Sequence, residues 1–460
     1  MLFNSPVFPL FLAVVLLLYT LLRKSWRMQN GLLLLASYVF YAWWDWRFLG
    51  LILLSTAVDF LVGLGLQKRR SKLLVAVSVL TNLGILAAFK YHDWFMGELN
   101  ALLLANSVAL KFKLLEVALP VGLSFYTFQS MAYSIDVYRG KVRATRNPLT
   151  FALFVSFFPQ LVAGPIERSE RLMPQLEGPR RRTKRQLSQG AHLVLWGLFK
   201  KVFVADNLAT IVESVYEHPD DPSGFLVLVA AWAFTWQIYC DFSGYTDIAR
   251  GIAKWLGIEL MVNFRLPFFA ASPREVWHRW HISLSEWLRD YLYISLGGNR
   301  KGGFRAGLNM LITMVLGGLW HGANWTFMVW GLYHGLALAV QRILPPIRVP
   351  RALAIVLTFH FTCLGFMIFR AHDVGQVVDL MTVLGTNFMP VAEDRFPFTQ
   401  FLILISMPLL MEFLMYRKDS DLDLFTRWPV WVQAPLSVAM LLAVVVLGAT
   451  YGQEFIYFQF

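Results

Sequence analysis

The chain has 460 residues, of which 57% are hydrophobic and only 15% are charged. This apolar share exceeds the roughly 45 to 50% of soluble domains, so the composition excludes an ordinary soluble protein and predicts a membrane protein. The net charge is +12. An excess of basic residues is typical of cytoplasmic loops beside anionic lipid headgroups, so we expect membrane lipid rather than nucleic acid as the partner of these residues.

Apolar runs long enough to cross the hydrocarbon core of a bilayer recur along the whole chain. They predict an all-α protein with about ten to twelve transmembrane helices in a single integral membrane domain, 1–460. The runs cover residues of about 7–22, 31–44, 48–66, 73–89, 117–135, 190–212, 224–240, 307–320, 325–341, 351–369, 400–415 and 430–450.

Basic residues predict the orientation of these spans. The first run is followed by Arg23, Lys24 and Arg27 but preceded by no positive charge, which is the reverse of a signal peptide. We therefore expect this run to persist as a span with its N-terminus outside. The following loops alternate in basic content, as the positive-inside rule requires.

The segment FVSFFPQLVAGPIERSERL, 154–172, has an apolar part too short to span a bilayer, and Pro159, Gly164 and Pro165 interrupt it. A broken or re-entrant helix fits this pattern. Such backbone is tolerated at membrane depth only where protein or a water-filled cavity covers it. We expect the segment to line a central cavity; a plain helix that ends in a proline-rich loop is the alternative.

Between residues 237 and 334, polar side chains crowd into otherwise aromatic sequence, beginning with Asp241 and Asp247. Ionisable residues within a membrane are costly and therefore mark a functional region. The pair His278 and His281 has the H-x-x-H spacing that places two side chains on one face of a helix. No metal site is predicted, because this pair has too few additional ligands at a matching spacing.

The motif GGLWHGANWTF, 317–327, places His321 within an apolar stretch. Three glycines, Gly317, Gly318 and Gly322, leave room for the close approach of another group. Trp320 and Trp325 supply flat apolar walls, and Asn324 supplies an amide that can form hydrogen bonds. A neutral imidazole in apolar surroundings can act as a general base near pH 7. The residues alone leave a catalytic and a packing role open for His321, and His334 could support it.

Two stretches carry a specific resemblance: WHRWHISLSEWLRDYLYISLGGNRKG, 277–302, and LGGLWHGANWTFMVWGLYHG, 316–335. Together they resemble the membrane-bound O-acyltransferase family, in particular its bacterial branch for alginate, peptidoglycan and cellulose O-acetylation. Further similar segments are SYVFYAWWDWRFL at 37–49, LPVGLSFYTFQSMAYSIDVYRG at 119–140, FPQLVAGPIER at 158–168, DFSGYTDIARG at 241–251 and FIYFQF at 455–460.

The resemblance implies a ring of tilted helices around a thinned centre with a tunnel. It maps the family's catalytic histidine onto His321 and a second histidine onto His281. Trp320 and Asn324 are then candidate donors to the oxyanion of the reaction. Arg265 and Arg279 could bind the phosphates of coenzyme A, since guanidinium groups suit phosphate oxygens; pairing with nearby carboxylates and lipid phosphates is the alternative.

The resemblance also implies a multi-pass protein of the bacterial inner membrane, in which the N-terminus that the basic residues place outside would lie in the periplasm. The expected activity is acetyl transfer from a cytoplasmic thioester, acetyl-CoA or an acyl carrier, without a permanently bound cofactor. The expected partner is an extracytoplasmic SGNH-type acetyltransferase, with a polysaccharide as the final acceptor. A transporter that passes acetyl groups without catalysis, or D-alanyl transfer to teichoic acid, are the alternatives.

Overall fold

The computed structural model describes residues 1–162, 164–217, 222–344, 349–418, 427–449 and 455–458. These residues form an all-helical structure, and no β-strand occurs among them. The α-helices are α1 Phe8–Leu21, α2 Trp26–Asp45, α3 Leu49–Lys68, α4 Lys72–Leu86, α5 His92–Ala105, α6 Leu123–Arg139, α7 Pro148–Ser156, α8 Phe158–Leu161, α9 Ser169–Leu176, α10 Lys184–Leu198, α11 Asp206–Tyr216, α12 Gly224–Trp255, α13 Pro273–Arg279, α14 Ile282–Trp287, α15 Gly302–His321, α16 Trp325–Ile343, α17 Arg351–Arg370, α18 Val374–Thr386, α19 Arg395–Arg417 and α20 Val430–Val446.

Six helical stretches of the described chain are long and apolar enough to cross a membrane. They are Trp26–Lys68, Lys72–Ala105, Gly224–Trp255, Gly302–His321, Arg351–Arg370 and Ala392–Arg417. Four shorter apolar helices accompany them, Phe8–Leu21, Pro148–Leu161, Val374–Thr386 and Val430–Val446. The predicted all-α membrane protein is confirmed, whereas the number of crossings and their orientation stay predictions.

The described chain divides into two compact units, one of residues 1–190 with 252–261 and one of residues 191–251 with 262–460. Every candidate site residue named above lies in the second unit. The single membrane domain, 1–460, stays a prediction.

In the first unit, a buried carboxylate joins three helices. Asp59 on α3 accepts hydrogen bonds from Asn82 on α4, at 2.7 Å, and from Ser130 and Ser134 on α6, each at 2.6 Å. Ser78 donates a further hydrogen bond to it. Burying a carboxylate costs several kcal/mol unless its oxygens are bonded, so these four donors explain how Asp59 is accommodated.

The predicted break in segment 154–172 is confirmed. The helix α7 ends at Ser156, Phe157 leaves the helical conformation with ψ of 109°, and α8 adds a single turn. Pro159 accounts for the break, because its ring clashes with the carbonyl of the preceding helical turn and it has no N–H to donate. Ala163 lies outside the described residues, and the position of the segment in the membrane stays a prediction.

In the second unit, α15 and α16 pack closely along their length. A Cβ added at Gly318 would lie 2.1 Å from the Phe327 carbonyl oxygen, and one at Gly331 would lie 2.3 Å from that of Met314. Only glycine allows the two backbones to approach this closely. The contact fixes the end of α15, where His321 lies.

Candidate active site

Two buried histidines meet in the second unit. His321 is the last residue of α15, and His281 directly precedes α14. Their ring centroids are 6.4 Å apart, although 40 residues separate them in the sequence. His281 is 0% exposed and His321 is 4% exposed. Two imidazoles that meet in a buried environment form a candidate site for proton transfer.

The helix around the H-x-x-H pair is interrupted. The helix α13 ends at Arg279, Trp280 is extended with φ of −104° and ψ of 131°, and His281 adopts the left-handed conformation with φ of 42°. The prediction that His278 and His281 share one helix face is therefore wrong. The turn directs the two side chains to different surroundings: His278 lines a cavity, whereas His281 is buried beside His321.

Asn263 stabilises the unusual turn at His281. Its backbone carbonyl accepts the Ile282 N–H at 2.9 Å, and its side-chain oxygen accepts the N–H and hydroxyl of Ser283 at 3.2 and 2.7 Å. A left-handed residue other than glycine costs about 1 to 2 kcal/mol. Three hydrogen bonds of about 1 kcal/mol each can offset this cost. Sequence reasoning missed Asn263, because a single asparagine carries no local signal of such a contact.

Burial also sets the protonation state of His281, which lies outside the six candidate spans. Removal from water disfavours the charged imidazolium and lowers the pKa of His281 to about 3. The imidazole is consequently neutral across the physiological pH range. A neutral ring has one nitrogen that accepts and one that donates a hydrogen bond.

Aromatic rings surround His321. The ring centroids lie 5.0 Å away for Trp320, 5.2 Å for Trp330, 5.3 Å for Phe369 and 5.5 Å for Tyr457. Trp320 also contacts His281, at 6.1 Å. Trp325, in contrast, is 48% exposed. The apolar surroundings expected from the motif exist, but residues far along the chain supply much of them.

Tyr457 contacts both histidines, at 5.5 Å from His321 and 6.4 Å from His281. It belongs to the segment FIYFQF, which the sequence analysis used only for its resemblance. Neither spacing nor periodicity could connect it with a histidine 136 residues earlier. Tyr457 is therefore a site residue that sequence reasoning missed.

His334 lies close to this group. Its ring is 4.9 Å from the Trp330 ring, which also contacts His321 on another side. It is 3% exposed and packs against Trp277 and Phe361 at 5.3 Å each. His334 thus contacts the surroundings of His321 through a shared aromatic ring.

Asn324, a predicted substrate-binding residue, caps α16. Its side-chain oxygen accepts the Thr326 N–H at 3.1 Å, and its amide donates to the His372 carbonyl at 2.7 Å. Both groups of the amide are thus engaged in structural hydrogen bonds. A role of Asn324 in substrate binding stays a prediction.

Arg265 and Arg279, the predicted phosphate-binding residues, lie side by side. The Arg279 guanidinium donates to the Arg265 carbonyl at 3.0 Å and pairs with Glu275 at 2.9 Å. Arg351 also pairs with Glu275, at 3.1 Å. Burial favours the neutral form of the Glu275 carboxyl group. The hydrogen bond from the Ala271 N–H and the two guanidinium groups outweigh this effect, so the pKa of Glu275 lies below its usual range. Arg279 thus forms an ion pair with Glu275, and the Arg265 side chain is exposed. Phosphate binding by Arg265 and Arg279 stays a prediction.

A larger cavity of about 670 Å³ lies between α13, α14, α15 and α16. Its charged lining residues are Arg274, Arg289, Arg342 and Glu286, of which Arg289 pairs with Asp290 at 2.8 Å. Met310, Met314 and Leu338 form an apolar wall. Charge and apolar surface together suit an amphiphilic anion. Arg265 lines a separate cavity of about 60 Å³ instead.

Comparison with known proteins identifies the family. Residues 141–371 match the membrane-bound O-acyltransferase family. The chain is 44% identical to a probable alginate O-acetylase of Azotobacter vinelandii, over 81% of this chain and 76% of that protein. The chain belongs to the membrane-bound O-acyltransferase family. Both histidines of the site lie within the matched region of this acyltransferase.

Other relatives of this membrane-bound O-acyltransferase differ in the acceptors that their names give. The peptidoglycan O-acetyltransferase of Helicobacter pylori is 33% identical, over 91% of this chain and 86% of that protein. The teichoic acid D-alanyltransferase of Bacillus subtilis is 28% identical, over 54% of this chain and 68% of that protein. These names share the transfer of an acyl group, to alginate, peptidoglycan or teichoic acid.

Proposed function

We propose that this membrane O-acyltransferase takes an acetyl group from a cytoplasmic thioester, acetyl-CoA or an acyl carrier, and passes it across the bacterial inner membrane. The immediate acceptor is an extracytoplasmic SGNH-type acetyltransferase, and the final acceptor is a polysaccharide. Identities of 42 to 44% to five probable alginate O-acetylases support acetyl as the group and an alginate-type polymer as the acceptor. The predicted periplasmic N-terminus belongs to this proposal.

The observation that carries the proposal is the buried meeting of His281 and His321 among aromatic rings. In the proposed reaction, the His321 imidazole takes the proton of the acceptor hydroxyl as its oxygen attacks the thioester carbonyl. The bond from carbon to sulfur then breaks, and the same proton passes to the leaving thiolate. General base catalysis of this kind contributes roughly 10² to 10⁴ in rate. His281 is proposed to hydrogen-bond a reacting group, because its neutral ring has one nitrogen that donates and one that accepts a hydrogen bond.

The cavity beside α13 supports a thioester donor of the coenzyme A type. Its apolar wall can cover a pantetheine chain, and the Arg274 guanidinium can pair with phosphate oxygens. In this proposal Arg274 takes the place expected for Arg279, because Arg279 is held by Glu275. No permanently bound cofactor is required.

The proposal is tested with the purified full chain in proteoliposomes and acetyl-CoA labelled in the acetyl group. We expect labelled acetyl to reach the serine of an SGNH-type acetyltransferase on the opposite face, while coenzyme A stays on the donor side. Movement of intact acetyl-CoA would instead indicate a transporter. Transfer of D-alanine from a carrier, without acetyl transfer, would favour the teichoic acid alternative.

A matched pair of histidine variants tests the catalytic assignment. His321→Gln is expected to lower the acetyl-transfer rate by about 10² or more, as loss of a general base does. His334→Gln is the control, because this histidine is equally buried and contacts the same Trp330 ring. Equal rates for the two variants would contradict the assignment of His321 as the base.

A further inference from the structure

The segment 455–458, which brings Tyr457 to the two histidines, is bound through its backbone to a buried carboxylate. The Ile456 N–H donates to Asp241 on α12 at 2.7 Å. We propose that Asp241 is a positioning residue for acyl transfer. It acts through this hydrogen bond, which holds Tyr457 against His281 and His321.

Asp241 is itself fixed by a buried ion-pair group. The Lys201 ammonium lies 2.9 Å from Asp241 and 2.8 Å from Asp206. All three side chains are nearly inaccessible, with exposures of 2, 1 and 3% for Asp241, Lys201 and Asp206. Removing the Lys201 ammonium from this group would leave two buried carboxyl groups without a counter-charge, which costs about 3 to 5 kcal/mol. The carboxylate is therefore a rigid acceptor for the Ile456 N–H.

Asp241 is also connected to the site by its neighbour in the sequence. Phe242 contacts the rings of Tyr457 and His281, each at 4.7 Å. Phe455 packs on Tyr245 at 4.5 Å and on Phe242 at 5.8 Å. The hydrogen bond at Ile456 lies between these two aromatic contacts. This hydrogen bond fixes the position of the segment 455–458 along α12 and therefore the position of the Tyr457 ring.

A proline at position 456 removes the hydrogen bond without altering any buried charge. Ile456 is the first residue of a short 3₁₀ helix, Ile456–Phe458, a position at which proline is tolerated because its fixed φ suits a helix start. Ile456→Ala is the matched control, since it shortens the side chain but keeps the N–H. Displacement by about 1 Å can lower a catalytic rate by about 10². Both variants lose the buried Ile456 side chain, so we expect this additional loss in Ile456→Pro relative to Ile456→Ala.

A second pair of variants compares two buried carboxylates on α12. Asp241→Ala should lower acetyl transfer as Ile456→Pro does, and the double variant should be no slower than either single one, because both remove the same hydrogen bond. Asp247→Ala is the control, because this buried carboxylate pairs with Lys200 at 2.7 Å and with Arg250 at 3.2 Å, whereas Asp241 accepts the Ile456 N–H. If Asp241→Ala fails to fold, the proline variant carries the test.

A chemical readout is independent of the reaction. Diethyl pyrocarbonate modifies neutral imidazoles that it can reach, and mass spectrometry locates the modified histidines. We expect Ile456→Pro to raise the modification rate of His281 or His321 about tenfold, the change in open population that corresponds to a lost hydrogen bond to a charged group. Ile456→Ala, which loses the same buried side chain but keeps the N–H, should raise this rate less.

The activity readout rests on the proposed acetyl transfer, whereas the chemical readout does not. Equal histidine reactivity in the proline variant and the alanine variant would overturn the positioning role of Asp241. Increased reactivity with unchanged acetyl transfer would support the hydrogen bond as an anchor of the segment but contradict a role of Asp241 in positioning for acyl transfer. Increased reactivity with reduced transfer supports both.

Discussion

Gly318→Ala is the sharpest test of how helix packing places His321. The added Cβ would lie 2.1 Å from the Phe327 carbonyl oxygen, whereas carbon and carbonyl oxygen normally approach to about 3.3 Å. The helices α15 and α16 must therefore separate by about 1.2 Å at this point. Overpacking of this kind costs about 1 to 3 kcal/mol of stability. Because His321 lies three residues further along α15, we expect acetyl transfer to fall by about 10².

The assay is the rate of label transfer from acetyl-CoA, with thermal unfolding in detergent as the measure of stability. Gly307→Ala on the same helix is the control, because its Cβ would meet only Ala339, at an ordinary distance of 3.9 Å. Alanine is favoured over glycine inside a helix by about 0.5 to 1 kcal/mol, so this control should be at least as stable as the unmodified protein. A Gly318→Ala protein with normal rate and stability would refute the packing argument.

Three further predictions concern the surroundings of the histidines. Asn324→Ala should lower the free energy of unfolding by about 1 kcal/mol through loss of the helix cap, and Asn324→Ser should restore it. An acetyl-transfer rate that stays low in Asn324→Ser would favour a substrate contact. Asn263→Ala should cost about 1 to 3 kcal/mol, since it leaves the buried Ser283 groups without their acceptor; an unchanged melting temperature would contradict this. The depressed pKa of His281 means that the unfolded chain binds an extra proton between about pH 6.5 and the folded pKa of about 3. The contribution of His281 to stability is thus full above pH 6.5 and is lost progressively as the pH falls, and His281→Gln should flatten this part of the stability profile.

The pattern of buried carboxylates gives a physical picture of this acyltransferase. Asp59 in the first unit is surrounded by neutral donors, whereas Asp241 and Asp247 in the second unit are paired with Lys201 and Lys200. Hydrogen bonds from neutral groups suffice to accommodate a buried carboxyl group, whereas an ion pair also holds the carboxyl group in a fixed position. The rigid arrangement is found beside the histidines, where small displacements affect a reaction rate most.

Much of the fold and part of the site could be predicted from the sequence. Apolar runs of near span length predict helices in a membrane because backbone groups there must be bonded within their own segment. Pro159 predicted a broken helix because its ring cannot fit inside one. The motif around His321 predicted apolar surroundings, since tryptophan and glycine are the residue types that pack there. These are properties of single residues and of short stretches.

Only the tertiary structure decided which residues meet. The left-handed turn at His281 separates it from His278, and it depends on hydrogen bonds that Ile282 and Ser283 donate to Asn263. Spacing within a helix does not describe these contacts. The sequence left open that Asn324 would use its amide oxygen as a helix cap and its amide nitrogen as a donor to the His372 carbonyl. It also gave no sign that Tyr457 would contact both histidines. Periodicity reports which face of a helix is buried, whereas the partner of a side chain is set by packing between segments distant in the chain.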